Sequence, residues 1–435
     1  MRFLRFHLLF SFWALAALAQ SNPARAEDWP GWRGPRGDGT STEKAIPTKW
    51  GKDDNIAWKT AIPGRGHSSP VVWGDRVFLT SCLEKDGKQF LKEGKQLLLC
   101  LDRKDGKILW QQEQPHKLQK SIHGLNSHAS STPATDGKYV FVTFHDEPNF
   151  VACCYDLDGK LIWKKSPGEF NSVHGFCSTP ALYQDLVILN GDQDSPKGFY
   201  GRKGRKDPYD SYLVALDKAT GEQRWKTNRP YNIRSYTPPV IFDMAGKKQL
   251  VLSGSKCVAS YDPETGNQNW NVDDSPTEQF VSSLVYGDGV LFMTYGFPKL
   301  GYAGIKPDGQ GEVSKTHVLY NVGRDGGYVP SPIYHDKYFF FVNDNGIASC
   351  VDSQTGKSQW KERISNHSSA SPVLADNLMY FIDDQGFTTV LKAGPKFDVL
   401  QKNELGEKSF GSPAISRGQL FIRGENHLFC VGAPR

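Results

Sequence analysis

The sequence predicts an all-β fold: an eight-bladed β-propeller of four-stranded antiparallel blades, closed by an N-terminal strand that completes the last blade. Three observations predict it. An Asp–Gly–Trp phrase recurs in five good copies. A Ser/Thr-Pro phrase followed by apolar residues recurs at roughly 40–60-residue intervals, the range expected of stacked repeat units. The last unit lacks one strand, and the start of the chain offers a strand without a unit.

The five good copies are Asp102–Gly106–Trp110, Asp156–Gly159–Trp163, Asp217–Gly221–Trp225, Asp262–Gly266–Trp270 and Asp352–Gly356–Trp360. Two degraded copies are read at Gly309–Val313 and Gly394–Asp398. An Asp that accepts backbone N–H groups opens a turn, and a Gly supplies the positive φ that closes it. The Trp then falls on the following strand, where its face can fill the gap between blades. Unit openings stand at Pro70, Pro133, Pro180, Pro238, Pro332, Pro372 and Pro413, with Leu284 in the missing slot.

The unit that opens at Pro332 reads strand by strand. Pro332–Tyr334, Tyr338–Val342, Ile347–Val351 and Ser358–Glu362 are apolar or alternating runs separated by turn residues. Four short strands and three turns make one propeller blade. After Pro413 only three strands are found, near 414–415, 420–422 and 428–431. Residues 55–60, with Trp58, supply the fourth; such closure removes exposed sheet edges. The long inserts Leu83–Lys95, Gln111–Asn126, Gln193–Ser211 and Phe297–Gly304 are expected to be surface loops. Residues 27–49 form an N-terminal extension packed over one face, and 50–435 a single propeller.

Residues 1–26 read as a secretory signal. Arg2 and Arg5 precede an apolar run from Leu8 to Ala19, and Ala24-Arg25-Ala26 is a small-x-small cleavage site. The apolar run is too short to span a bilayer. Cleavage after Ala26 predicts a periplasmic or secreted chain without a transmembrane span, expected to be a monomer. It removes three arginines and no acid from a net charge of +5, so charge does not imply a nucleic-acid partner. Eight cysteines remain. Cys100, Cys154, Cys350 and Cys430 share one repeat slot, filled elsewhere by Ala215 and Ser260, so they read as small core residues; a disulfide is the open alternative in an exported chain.

The repeat resembles the quinoprotein-type, or PQQ-like, repeat, which runs roughly Ala-x-Asp-x-x-Thr-Gly-x-x-x-Trp; Ala215, Asp217, Thr220, Gly221 and Trp225 match it closely. The run Asp28-Trp29-Pro30-Gly31-Trp32-Arg33-Gly34-Pro35 is similar to the opening of exported PQQ-like propellers of planctomycete type. The resemblance covers nearly all of 28–435 and implies an eight-bladed propeller. It implies two kinds of function. One is a PQQ-dependent alcohol or sugar dehydrogenase, with the quinone and calcium in the funnel under a vicinal disulfide. The other is a non-catalytic scaffold similar to BamB, which assists outer-membrane protein assembly. Cys153-Cys154 is the only vicinal pair, and it falls in a third strand rather than a funnel loop. No convergent carboxylate and amide set for calcium is visible by motif.

The expected function is therefore an exported binding or assembly scaffold with a protein or cell-envelope ligand, no predicted cofactor and no catalytic residue. The alternatives are the PQQ- and calcium-dependent dehydrogenase and an extracellular polysaccharide or peptide binder. The loops that feed each first strand should face the channel mouth. They contain His67, His128, His174, Arg234, Tyr236, Tyr328 and His367. This set predicts a polar, partly cationic funnel able to hold an anionic ligand, a peptide carboxylate or a metal, with a hydrated mouth as the plain alternative. Phe280 is the only such group in a sixth loop, and Asp344 and Asp384 read as turn formers. Lys197, Arg202, Lys203, Arg205 and Lys206 form a basic insert, either solvated or in contact with an anionic surface.

Overall fold

The computed structural model describes residues 26–84, 93–119, 122–194, 210–254, 256–273 and 279–433. Residues 1–25, within the expected signal, and the basic insert lie outside the described residues. Eight antiparallel four-stranded sheets form the eight blades of one propeller, two of them carrying an extra short parallel strand. Blade 1 runs from Val71–Trp73 through Ile108–Lys117, and blades 2 to 7 follow with inner strands at 134–135, 181–183, 240–244, 285–287, 333–335 and 373–375. Blade 8 takes its inner three strands from the end of the chain and its outer strand from Ile56–Ala61, where Trp58 lies opposite Cys430. No helix among the described residues is long and apolar enough to cross a membrane.

Each Asp–Gly–Trp phrase clasps two blades. Asp217 Oδ1 accepts the Ala219 and Thr220 amides at 2.9 and 3.0 Å, and Asp262 and Asp352 hold the same turn. Gly221 closes it at φ 71°, and the Trp163 indole of the preceding blade lies directly on this glycine, where any Cβ would collide with the ring. Trp163 Nε1 then donates to Lys218 O at 2.9 Å. Trp58, Trp110 and Trp225 sit in the same way on Gly106, Gly159 and Gly266. Trp270 reaches Pro307 O, and Trp360 reaches Gly394 O.

The two degraded copies are placed differently from the sequence reading. In blade 5 the outer strand is Val318–Val322, and Tyr320 occupies the tryptophan slot, opposite Gly304 and over Gly356. Val313 is instead buried beside a two-residue strand, Gly311–Glu312, that pairs parallel with blade 4. In blade 7 the slot holds Gln401, opposite Val390. Blade 8 takes its outer strand from Ile56–Ala61, so no turn of the clasp type joins its third and outer strands. Trp50, the residue that follows the extension, fills this junction, stacked 6.5 Å from Tyr380, with its amide on Asn403 Oδ1.

The Ser/Thr-Pro phrase has an equally specific cause. The Ser412 amide donates to Ser69 Oγ at 3.0 Å, Ser69 to Thr132 Oγ1 at 3.0 Å, and Thr132 to Thr179 Oγ1 at 3.2 Å. Ser283 donates to Ser331 at 2.8 Å, Ser331 to Ser371 at 2.9 Å, and Ser371 to Ser412 at 3.0 Å. The hydroxyl of one blade thus satisfies a buried amide of its neighbour at six of the eight junctions around the channel. The proline that follows has no N–H to orphan.

The cysteine slot is as read. Cys100, Cys154, Cys350 and Cys430 lie opposite Trp110, Trp163, Trp360 and Trp58, and Ala215 and Ser260 opposite Trp225 and Trp270. All eight cysteines are free thiols. Three of the expected insert loops are partly strand: the hairpin of blade 1 is drawn out into Glu93–Asp102 and Ile108–Lys117, and Gly301–Ile305 takes up the second half of the insert expected at Phe297–Gly304. Replacing Trp163 with Ala removes an indole wedged between two blades, and should cost about 3–5 kcal/mol. Urea unfolding measures it; a loss below about 1 kcal/mol would mean that the clasp does not hold the blades.

Candidate ligand-binding funnel

Strand parity decides which loops meet. In a blade of four antiparallel strands, the 2–3 turns and the 4–1 connections share one face, and the 1–2 and 3–4 turns share the other. The feeder loops and the turns of Asp344 and Asp384 therefore face the same mouth. All four long inserts rise from this face too.

The mouth is a cavity of about 400 Å³. It brings together five of the seven expected residues: His67, His174, Tyr236, Tyr328 and His367. Below it a narrower neck of about 110 Å³, walled by the Ser/Thr belt, leads to Trp32 of the N-terminal extension, which forms its floor. The channel is therefore blind. His67 stacks on Phe410 at 4.5 Å, and His174 packs edge-on against His123 at 5.5 Å and near Tyr236 at 6.3 Å. His367 Nδ1 meets Asp384 Oδ2 at 2.7 Å, and Asp384 also accepts the Ser369 amide and hydroxyl at 2.8 and 3.0 Å. Asp344 Oδ2 accepts the Tyr328 amide at 2.8 Å, and burial pushes its carboxyl above the ordinary range.

Two expected residues are not at the mouth. Arg234 is buried and bonded through Nη1 to both carboxylate oxygens of Asp194 at 3.0 Å. With Arg229–Asp192, a fully buried pair 2.7 Å apart, it anchors the strand ends that carry the 193–211 insert. His128 belongs instead to a group behind the mouth with His116 and His145; its carbonyl accepts Gln96 Nε2 at 2.6 Å. Burial drives these imidazoles down to about 4. At the mouth, burial lowers His67 to about 3, helped by Arg65 and Arg423, and His174 to about 4.

The expected partly cationic funnel is thus corrected. Its guanidinium is sealed in an ion pair, and burial keeps His67 and His174 neutral. Phe280 is fully buried, while Phe410, in the feeder loop of blade 8, takes an aromatic place at the mouth. His123, Asp344 and Asp384 were not read as site residues. The only signal for them was a shared face, which requires the blade topology to be known.

A quinone and calcium site would need a dense set of converging oxygen donors. Calcium takes six to eight oxygen ligands. One carboxylate, Asp344, lines the cavity and Asp384 stands behind His367, each already hydrogen-bonded, and among the described residues no three His, Cys, Asp or Glu side chains converge to hold a metal. Cys153 and Cys154 point into two different inter-blade cores from the third strand of blade 2. The donor set does not fit that group.

A family model described as outer membrane protein assembly factor BamB matches residues 48–145, 94–207 and 209–394. Among curated proteins, methanol dehydrogenase (cytochrome c) subunit 1 of Methylobacterium organophilum is 28% identical over 153 residues, 34% of this chain and 23% of that protein. The quinoprotein ethanol dehydrogenase of Pseudomonas aeruginosa is 25% identical over 209 residues, 45% of this chain and 29% of that protein. The chain thus spans less than a third of the length of these relatives. Among solved structures, BamB from Moraxella catarrhalis superposes with a TM-score of 0.54 at 11% identity, covering 86% of this chain and 97% of that one. The designed Ika8 protein superposes at 0.57 and 11% identity, covering 87% and 99%. These structural likenesses establish the fold.

The buried histidines set an acid limit on stability. The unfolded chain binds a proton at His145 near pH 6.5, the folded chain only near pH 4, so stability falls as pH drops through this window. The slope is up to about 1.4 kcal/mol per pH unit for each such group. Denaturant unfolding of wild type and His145→Gln at pH 7, 5.5 and 4.5 should give a shallower pH slope for the variant; equal slopes would contradict the assignment.

Proposed function

The chain belongs to the BamB-like family of PQQ-repeat propellers, and we propose that it is a non-catalytic binding scaffold of the cell envelope whose blind funnel takes an uncharged, ring-bearing group. That group is an aromatic side chain of a partner protein or a small neutral ligand. One observation carries the reading: the cavity is walled by Phe410, Tyr236, Tyr328 and by His67 and His174, which burial keeps neutral, and no Lys or Arg side chain lines it.

The physical argument is one of matching. A cavity of this size holds one aromatic ring with its flanking groups, and its walls supply flat faces with a few hydrogen-bonding atoms. Tyr236 Oη is fixed by Ser172 Oγ at 2.6 Å, and His367 by Asp384, so both are preorganised. With Nδ1 of His367 held by the carboxylate, Nε2 is the ring atom left for a ligand. Burying an anion here would cost solvation that no Lys or Arg side chain in the lining returns. The family match and the elaborated funnel face support an envelope partner; the periplasmic location rests on the signal-like residues 1–26.

The second reading is the quinoprotein dehydrogenase, favoured by the curated relatives. It asks of the funnel a multiply charged planar quinone and calcium, and the donor set described above opposes it.

One pair of probes separates the two. N-acetyl-tryptophanamide and N-acetyl-tryptophan carry the same ring and differ by a carboxylate. Titration calorimetry should show saturable binding of the amide, at least tenfold weaker binding of the acid, and a loss of at least fivefold in Phe410→Ala. Preference for the acid, or micromolar binding of PQQ with calcium accompanied by dye-linked alcohol oxidation, would reverse the reading.

A further inference from the structure

The face opposite the funnel carries a second surface. Residues 28–41 cross this end of the channel and pair with the inner strands of some blades through the backbone. In each blade one inner-strand residue directs its N–H and C=O into the channel, because the next strand bonds only to the residues on either side of it. These residues are Val72, Thr135, Leu182, Ile241, Tyr286, Tyr334, Leu374 and Ile415.

The eight divide into two groups. Val72 exchanges both backbone hydrogen bonds with Trp29, at 2.8 and 2.9 Å; Thr135 N–H donates to Pro30 O at 2.8 Å, and Leu374 N–H to Gly39 O at 2.9 Å. Beside Ile415, Ser416 Oγ donates to Glu27 O at 2.7 Å. Arg33 stitches the crossing by donating to Pro372 O at 2.6 Å and to Pro332 O. All four of these inner-strand residues, in blades 7, 8, 1 and 2, are buried. Leu182, Ile241, Tyr286 and Tyr334, in blades 3 to 6, are half-exposed, and no described residue pairs with their channel-facing edges. Beside them runs a trough of about 510 Å³ that includes Leu182, Ile241, Phe242, Tyr286 and Trp32. Phe242 and Tyr286 form an aromatic pair 6.2 Å apart, facing Trp32 of the crossing segment across the trough.

An unpaired strand edge beside a trough with an aromatic wall is a site for strand addition. The chain itself shows what such an edge accepts here: two short extended stretches, at Trp29–Pro30 and Gly39–Ser41, joined by a Gly-rich turn that carries Trp32. We propose that the open edges of blades 3 and 4 bind an extended segment of a partner polypeptide with this same chemistry, backbone-paired at Leu182 and Ile241 and with an aromatic side chain between Trp32 and Tyr286. The trough is continuous with the intramolecular interface, so the partner segment extends a pairing that the chain has already begun. This surface is independent of the funnel reading.

The probe is a fluorescently labelled 14-residue peptide copying residues 28–41, with a scrambled peptide of the same composition as control. Leu182→Pro removes the edge N–H without touching the ladder to the next strand, and Tyr286→Ala removes the aromatic wall; circular dichroism melts report whether each folds. The expected result is saturable binding of the copy but not of the scramble, weakened at least tenfold in whichever of the two variants folds, and unchanged in Phe410→Ala. No saturable binding to the wild-type chain overturns the proposal. So does undiminished binding in both variants, as exchange with the chain's own segment would give. Binding lost only in Phe410→Ala would place the peptide in the funnel and also overturn it.

Discussion

Buried backbone amides at the centre of the ring constrain everything else. Where inner strands converge on an axis, each incoming loop must bury N–H groups that no sheet ladder can reach, and an orphaned amide costs about 1–3 kcal/mol. The Ser or Thr before each proline resolves this at most junctions by offering its hydroxyl to the amide of the preceding blade. The bond is directional and steps from blade to blade, so it also sets their spacing at the axis. Farther out the indole-on-glycine clasp sets it again. The mouth residues converge because both radii are fixed.

The two faces have different roles. The turn face is occupied by clasp turns and by the N-terminal extension, whose Arg33 is fully buried and answered by backbone carbonyls. The funnel face bears the inserts, the paired arginines and the aromatic mouth. Covering one end of the channel makes the other a pocket rather than a pore. A half-covered ring is also asymmetric, which a perfect eightfold repeat would not be, and asymmetry is what allows two distinct surfaces on one scaffold.

Much of the ring was legible because its causes are local. An Asp, a Gly and a Trp at fixed spacing describe one turn and one packing contact, and Trp58 with an unpartnered strand foretold the closure. The errors came where a copy had drifted. Tyr320 does the work of a tryptophan from a strand displaced by a short insertion, and Gln401 needs no indole because Trp50, just after the extension, fills that gap. At the mouth, position was legible and chemistry was not. The feeder loops were found, yet whether Arg234 faces the channel or Asp194 depends on a partner 40 residues away. Likewise His67 and His174 read as ionisable groups, whereas burial decides their charge.

The belt is tested most directly by hydrogen exchange at single amides. Residues 69, 132, 283, 331, 371 and 412 lie outside every strand, so an unsupported loop would exchange them within seconds to minutes. If neighbouring hydroxyls hold them, they exchange only on global opening, as slowly as the central strands of the blades. Exchange at ordinary loop rates would mean that the ring is held from its rim alone.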